Sequence, residues 1–110
     1  MKKLNTMMLI NNMIVNLCDY KASIKSAETY EDAKRIGSRM VGYLDGAYTV
    51  LNTLICEENN ALTDELDEVL TGWEAEIYQT LADKAIETEQ DKELILKLLQ
   101  QRDACQEANK

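Results

Sequence analysis

Apolar residues recur at steps of three and four along most of the chain, which is the spacing of one face of an α-helix. The first such segment runs from about Lys3 to Ser26. Its apolar face is wide, which predicts contact with more than one neighbouring helix or with a second subunit. Asn11 within the stripe either fixes the register of that contact or occupies a partly exposed polar position. The stripe consists of Leu4, Met7, Met8, Asn11, Ile14, Val15, Cys18 and Ala22, widened by Leu9, Ile10, Met13 and Leu17.

A second helix is predicted from near Tyr30 to about Glu58. Thr29 followed three residues later by Asp32 resembles a capping box with Asp in place of Glu, which marks a helix start. The apolar positions that follow keep the rhythm of three and four residues throughout. They are Ala33, Ile36, Met40, Leu44, Ala47, Leu51 and Leu54, widened by Val41, Tyr48 and Ile55.

Three glycines interrupt the second helix, and each costs up to about 1 kcal/mol relative to alanine in a helix interior. Ser38, Gly42 and Gly46 recur every four residues on a strip distinct from the main apolar face. This spacing favours close approach of a neighbouring helix, from the same fold or from another protein. The alternative is a locally bent helix.

A third helix is predicted after a short connection, Glu57 to Thr63, with Thr63 as its N-cap. Trp73 in its stripe is expected in the core because a lone tryptophan is more often core than ligand platform. Tyr78 lies at the edge of the stripe. The apolar positions are Leu66, Val69, Leu70, Trp73, Ile77, Leu81, Ala85 and Ile86.

Seven consecutive polar residues, 87–93, predict a turn in which Thr88 and Asp91 repeat the capping pattern. A fourth helix follows, unless the third continues through the polar gap. It carries Leu94, Ile95, Leu98, Leu99, Arg102 and Cys105 on one side. The pattern predicts an all-α protein, a compact bundle of about four antiparallel amphipathic helices in one domain spanning residues 1–110. A long hairpin with flanking helices is the alternative topology.

The chain contains no histidine, which removes the usual component of hydrolase triads, zinc sites and Glu-x-x-His iron centres. Its glycines match no phosphate-binding loop, and its acidic runs lack the pattern of a calcium loop. We therefore expect no catalytic site, metal or cofactor. Cys18, Cys56 and Cys105 are odd in number and widely spaced, and Met7 to Val15 is too short and too polar to span a membrane. The expected location is the reducing cytoplasm.

Charge is distributed very unevenly between the two halves of the chain. Residues 1–56 carry seven Lys and Arg against five Asp and Glu, whereas residues 57–110 carry five against fifteen. The overall net charge of −8 disfavours direct binding to nucleic acid or to anionic lipid. We expect instead a partner-binding acidic face formed by Glu57, Glu58, Asp64, Glu65, Asp67, Glu68, Glu74 and Glu76, continued by Asp83, Glu87, Glu89, Asp91 and Glu93. The alternative is that these carboxylates only keep a small bundle soluble.

In size, charge and lack of catalytic residues, the chain resembles the small acidic inhibitors encoded by phages and mobile elements, including anti-CRISPR proteins. The likeness is one of class and rests on composition, with no motif behind it. It implies an inhibitor or adaptor whose carboxylates occupy a basic site meant for nucleic acid. A second hypothesis is a structural or assembly protein that forms a helical homo-oligomer, such as a dimer, or neutralises a partner, and its marker would be an exposed apolar stripe on the first helix. A third, an enzyme using a thiol or carboxylates, needs a cysteine beside a basic residue or two buried carboxylates.

Overall fold

The computed structural model describes the backbone of residues 2–58 and 60–107 and the side chains of residues 8–53 and 67–107. Within these residues the chain forms four α-helices and no strand, which confirms the predicted all-α bundle. The helices are α1 (Lys2–Ser26), α2 (Tyr30–Glu58), α3 (Asn60–Glu87) and α4 (Lys92–Glu107). None of them, over the residues described, contains an apolar stretch long enough to cross a lipid bilayer.

Hydrogen bonds between side chains show that consecutive helices run antiparallel. Asn16 Nδ2 of α1 donates to the hydroxyl of Tyr43 in α2 at 2.8 Å. The hydroxyl of Tyr48, further along α2, donates to Asp67 near the start of α3. Arg102, late in α4, donates to Gln79 in the middle of α3. The two residues of each pair lie at comparable distances along the chain from the connection between their helices, which is the pairing of an antiparallel helix hairpin.

Helix α3 is the centre of the bundle, since it packs against all three other helices. Helix α4 packs on α3, and among the described residues its backbone makes no close approach to α1 or α2. The Cα trace is consequently flat, with extents of 49 × 27 × 14 Å. Helix α1 is an edge helix that touches α2 and α3, and no other part of the described chain packs on its remaining side.

The predicted face of α2 forms the largest part of the core. Ala33, Met40, Leu44 and Leu51 are buried, with Ile36, Val41, Ala47 and Tyr48 packed beside them. The backbone N–H of Asp32 donates to Thr29 Oγ1 at 3.2 Å, so the predicted N-cap is confirmed. Leu54 and Ile55 lie outside the described side chains.

The stripe predicted for α1 is wrong as a core-facing stripe. Met13, Leu17 and Ile24 are the buried residues of α1, with Ile10 and Tyr20 packed against the core. These residues had been assigned only the edge of the apolar face, or none of it. Of the predicted positions, Met8, Asn11, Val15, Cys18 and Ala22 are exposed, Ile14 is half-buried, and Leu4 and Met7 lie outside the described side chains.

Two helix starts differ from those predicted. Helix α3 begins at Asn60, so Thr63 lies inside the helix and does not precede it as an N-cap. Thr88 does not cap α4 either, because the residue directly before the helix is Asp91; the Thr88 hydroxyl instead donates to the carbonyl of Lys84 at 2.8 Å. Helix α4 begins at Lys92, and the carbonyl of Asp91 accepts its first backbone hydrogen bond, from Ile95 N–H at 3.1 Å.

The end of α3 explains why α3 and α4 are separate helices. Gln90 N–H donates to the carbonyl of Ala85 at 2.9 Å, and Glu89 N–H donates to that of Ile86 at 3.1 Å. This pair of bonds is the Schellman motif, which needs a left-handed residue just after the helix. Glu89 takes that conformation, with φ of 58°, although glycine is the usual residue there. The polar segment therefore ends α3 by its backbone geometry.

Helix α3 buries a wider arc than its predicted stripe. Ile77, Leu81 and Ala85 are buried as expected, and Leu70, Trp73 and Tyr78 pack against them. Val69 and Ile86 were expected inside but are 38% and 56% exposed. The buried residues that the pattern did not include are Ala75, Thr80, Ala82 and Lys84. The arc is wide because α3 has three neighbours.

Candidate protein-binding surface

The acidic residues of α3 point in three directions. Asp67 faces α2, where it accepts the hydrogen bond from Tyr48 at 2.5 Å. Glu76 faces α1 and forms an ion pair with Lys21. Glu74 faces α4, where Cys105 Sγ lies 3.8 Å from its Oε2. These three carboxylates therefore contact three different helices and do not form one face.

The remaining predicted site residues are placed as follows. Glu68 is exposed, and the side chains of Glu57, Glu58, Asp64 and Glu65 lie outside the described residues. Further exposed acidic groups follow one another closely in the chain at the end of α3 and in the turn to α4. They are Asp83, Glu87, Glu89, Asp91 and Glu93, and all five are exposed. We call this set the acidic end.

Lys84 is the feature of the acidic end that sequence reasoning missed. Its side chain is only 3% exposed although it is one of two lysines among thirteen carboxylates in residues 57–93. Its ammonium donates to the carbonyls of Lys25 and Ala27 at 2.7 and 2.9 Å and pairs with Glu87 at 3.1 Å. A buried ammonium needs such partners, and a cation is favourable at a helix C-terminus.

The burial of Lys84 makes the surface of the acidic end more negative. Two of its contacts are directed inward at the end of α1 and the third is the ion pair with Glu87. Within residues 83–93 an incoming partner therefore meets Asp83, Glu89, Asp91 and Glu93, the paired Glu87, and one exposed lysine, Lys92. Asp83 accepts a hydrogen bond from Gln79 at 2.9 Å, within its own helix. No signal in the apolar pattern could have identified Lys84, because a lysine on a helix is normally read as exposed.

The strip of Ser38, Gly42 and Gly46 lies on the surface. All three residues are exposed, and a Cβ added at Gly42 or Gly46 would meet none of the described atoms within 4 Å. Within the described residues, then, no neighbouring helix packs closely on this strip. The close approach occurs at Gly37, where an added Cβ would lie 3.1 Å from Leu81 Cδ1 of α3. Gly42 and Gly46 instead form part of a shallow groove with Leu9, Met13 and Val50.

The thiol at Cys105 lies beside an acid and not beside a base. Burial raises the pKa of Cys105, and the neighbouring Glu74 carboxylate raises this pKa further. A reactive cysteine needs the opposite shift, since the thiolate is the nucleophile. Among the described residues, no three His, Cys, Asp or Glu side chains are grouped closely enough to hold a metal ion.

Tyr78 shares this environment. Its pKa is raised first by burial and further by electrostatic interactions with Cys105, Glu74 and Asp45 as they ionise. The phenol thus remains protonated at neutral pH and acts in packing between α2, α3 and α4.

Comparison with known proteins yields no relative. No family model matches the chain, and neither a curated protein nor a solved structure matches it. Any function must therefore be argued from the surfaces described above.

Proposed function

We propose that this protein is a non-catalytic binding module of the cytoplasm whose acidic end docks onto the basic, nucleic-acid-binding surface of a partner protein. The observation that carries the proposal is the arrangement around Lys84. Five exposed carboxylates, Asp83, Glu87, Glu89, Asp91 and Glu93, lie within eleven residues of chain, while the intervening lysine is buried and pairs with Glu87. Such a surface attracts a basic partner and speeds its association.

The acidic end is also supported on a rigid base. The Schellman turn at Glu89 fixes the path from α3 to α4, and Lys84 ties α3 to the end of α1. Carboxylates on a fixed backbone can stand where phosphates would bind, at a smaller entropic cost than those of a disordered tail. In this proposal the protein acts as an inhibitor or adaptor, which agrees with the class resemblance to phage-encoded acidic inhibitors, anti-CRISPR proteins among them.

The test uses neutralising substitutions that keep side-chain shape. A variant with Glu89→Gln, Asp91→Asn and Glu93→Gln removes three exposed charges, and Asn remains a good residue at a helix N-terminus. A matched control, Glu28→Gln, Glu31→Gln and Asp45→Asn, removes three exposed charges elsewhere. Partners are first captured from the native host's lysate at low and high salt and identified by mass spectrometry.

The captured partner is then purified for quantitative binding. We expect the acidic-end variant to bind it at least about tenfold more weakly at physiological salt, a loss of about 1.4 kcal/mol. The control should bind like the parent, and nucleic acid recognised by the partner should compete. Equal binding by both variants, or a partner that retains its nucleic acid in the complex, would remove the proposal.

A second function is favoured by a separate observation, the exposed apolar face of α1. Met8 and Val15 are 55% and 58% exposed, and this is the marker expected for a helical assembly protein. In this alternative the protein acts through self-association or by covering a partner with α1. The two functions use different surfaces and are tested separately.

A further inference from the structure

We infer that the exposed face of α1 is a seam for a second copy of this chain, formed by two α1 helices lying parallel. The inference rests on the second of the two proposed functions and names the partner and geometry of that site. The seam consists of Met8, Asn11, Val15, Cys18 and Ala22, all exposed.

The spacing of these residues differs from that of the core-facing side of α1. Met8, Val15 and Ala22 recur every seven residues, and Asn11 and Cys18 lie three residues after the first two. This is the a and d pattern of a two-stranded coiled coil, a narrow seam that matches a long partner helix with the same repeat. The identical helix of a second copy has that repeat.

Space for a partner helix is available along α1. Of the described parts of the chain, only α2 and α3 pack against α1, and α4 does not approach it. Contacts with α2 involve Asn16 and Tyr20, and the contact with α3 involves Lys21. The seam lies on the remaining side. From Met8 to Ala22 it rises about 21 Å, enough for a weak, concentration-dependent dimer.

The absence of charge on this face of α1 favours a second copy of the chain as its partner. Residues 4–18 contain no charged residue, in a chain where 29% of residues are charged and the net charge is −8. Two copies approaching by any acidic surface would repel each other. The face of α1 from Met8 to Cys18 is a surface where identical copies can meet without opposing like charges, and it offers neither a basic nor an acidic partner any Coulomb attraction.

Asn11 selects the parallel orientation. An amide placed in an apolar seam needs a hydrogen-bond partner, and a single asparagine in a coiled-coil seam sets register for this reason. In a parallel pair Asn11 faces the same residue of the second copy, so each amide can donate to the other. In the antiparallel registers of this seam Asn11 would face Val15 or Ala22 of the second copy, where its amide finds no partner. The parallel register also brings the two Cys18 thiols into one layer.

The experiment measures mass and cross-linking in the full chain. Sedimentation equilibrium of the reduced parent should show the mass rising from 12.5 kDa towards twice that value with concentration. Val15→Glu should remain at monomer mass at every concentration, with unchanged helicity because Val15 is outside the core. Leu96→Glu on α4 is the matched control, since Leu96 is also 58% exposed, and it should dimerise like the parent.

The relative orientation of the two α1 helices is measured by disulfide cross-linking through Cys18, in a Cys56→Ser, Cys105→Ser variant. With oxidised glutathione, one Cys18 thiolate forms a mixed disulfide and releases one glutathione. The Cys18 thiolate of the second copy then displaces the other glutathione and completes the cross-link. We expect most of the dimer to be trapped. A variant that keeps only Cys105, half-buried on α4, should stay uncross-linked.

The outcomes separate the seam from the function on which it rests. A parent that stays at monomer mass overturns both the seam and the self-association form of the assembly function, and leaves only the form in which α1 covers a different partner. A dimer that persists in Val15→Glu, or that Leu96→Glu also dissociates, overturns the seam. A dimer lost in Val15→Glu but not trapped through Cys18 overturns the parallel arrangement while the assembly function stands.

Discussion

Replacing Lys84 by methionine tests the most unusual contact in the bundle. Methionine keeps much of the length of the lysine side chain and its apolar stem, so it removes the ammonium with little change in packing. What is lost are the hydrogen bonds from Nζ to the carbonyls of Lys25 and Ala27 and the ion pair with Glu87. The two carbonyls would then lie at the end of α1 without these donors.

The expected loss follows from opposing contributions. Hydrogen bonds to charged groups stabilise by about 1.5–3 kcal/mol each. The pair with Glu87 adds less than about 1 kcal/mol, because the Glu87 side chain is 69% exposed. Methionine avoids the several kcal/mol that it costs to bury an ammonium. We therefore expect the free energy of unfolding to fall by about 1–3 kcal/mol, and Tm by about 4–12 °C at roughly 4 °C per kcal/mol for a chain of this size.

Urea unfolding followed by circular dichroism measures this difference, and amide hydrogen exchange locates it. Exchange should quicken most in the last turn of α1 and the residue after it, where the carbonyls of Lys25 and Ala27 lie. Glu87→Gln is the control, since it removes only the exposed ion pair and should cost less than about 1 kcal/mol. If Lys84→Met were as stable as the parent, the ammonium would not be stabilising the end of α1, and the reasoning would be refuted.

Two further predictions use contrasts already present in the chain. Gly42→Ala should raise the free energy of unfolding by about 0.5–1 kcal/mol, because alanine favours the helix and the site is open. The free energy of unfolding of Gly37→Ala should be at least about 1 kcal/mol lower than that of Gly42→Ala, because the added Cβ meets Leu81. Equal values for the two variants in urea unfolding would contradict the close approach at Gly37. The Cys105 thiol should be alkylated more slowly than the exposed Cys18 thiol at neutral pH, and its rate should increase as the pH rises towards its raised pKa. Glu74→Gln should increase the alkylation rate of Cys105, and an unchanged rate would show that Glu74 does not act on the thiol.

The number of helices and the main face of α2 could be predicted because both depend on local information. Thr29 caps α2 by accepting a hydrogen bond from the backbone N–H only three residues further along the chain, and the apolar positions from Ala33 to Leu51 follow a single stripe. The predicted separation of α3 from α4 is correct, although the cap expected at Thr88 is wrong. There the Schellman turn decides the helix end through Glu89, a residue without the usual signal for a left-handed conformation.

The acidic region could be located along the chain but not as a surface. Counting carboxylates identified residues 57–93, yet alternate residues on α3 turn to different neighbours, so Glu74 and Glu76 contact α4 and α1. The acidic end presents mainly carboxylates because the Lys84 side chain lies inside the bundle. Its burial depends on the two carbonyls from the end of α1, which are distant in sequence.

The amino-acid sequence by itself determined that this chain forms amphipathic helices, where most of them lie, and that its negative charge is concentrated in the second half. Tertiary structure alone decided which face of α1 is buried. That helix carries apolar residues on two sides, and the periodicity gives their spacing but not which side faces the core. Packing decides this, because Met13, Leu17 and Ile24 contact α2 and α3 while Met8 and Val15 are exposed to solvent. The same global packing buries Lys84, since the acceptors for its ammonium exist only after α1 and α3 have come together.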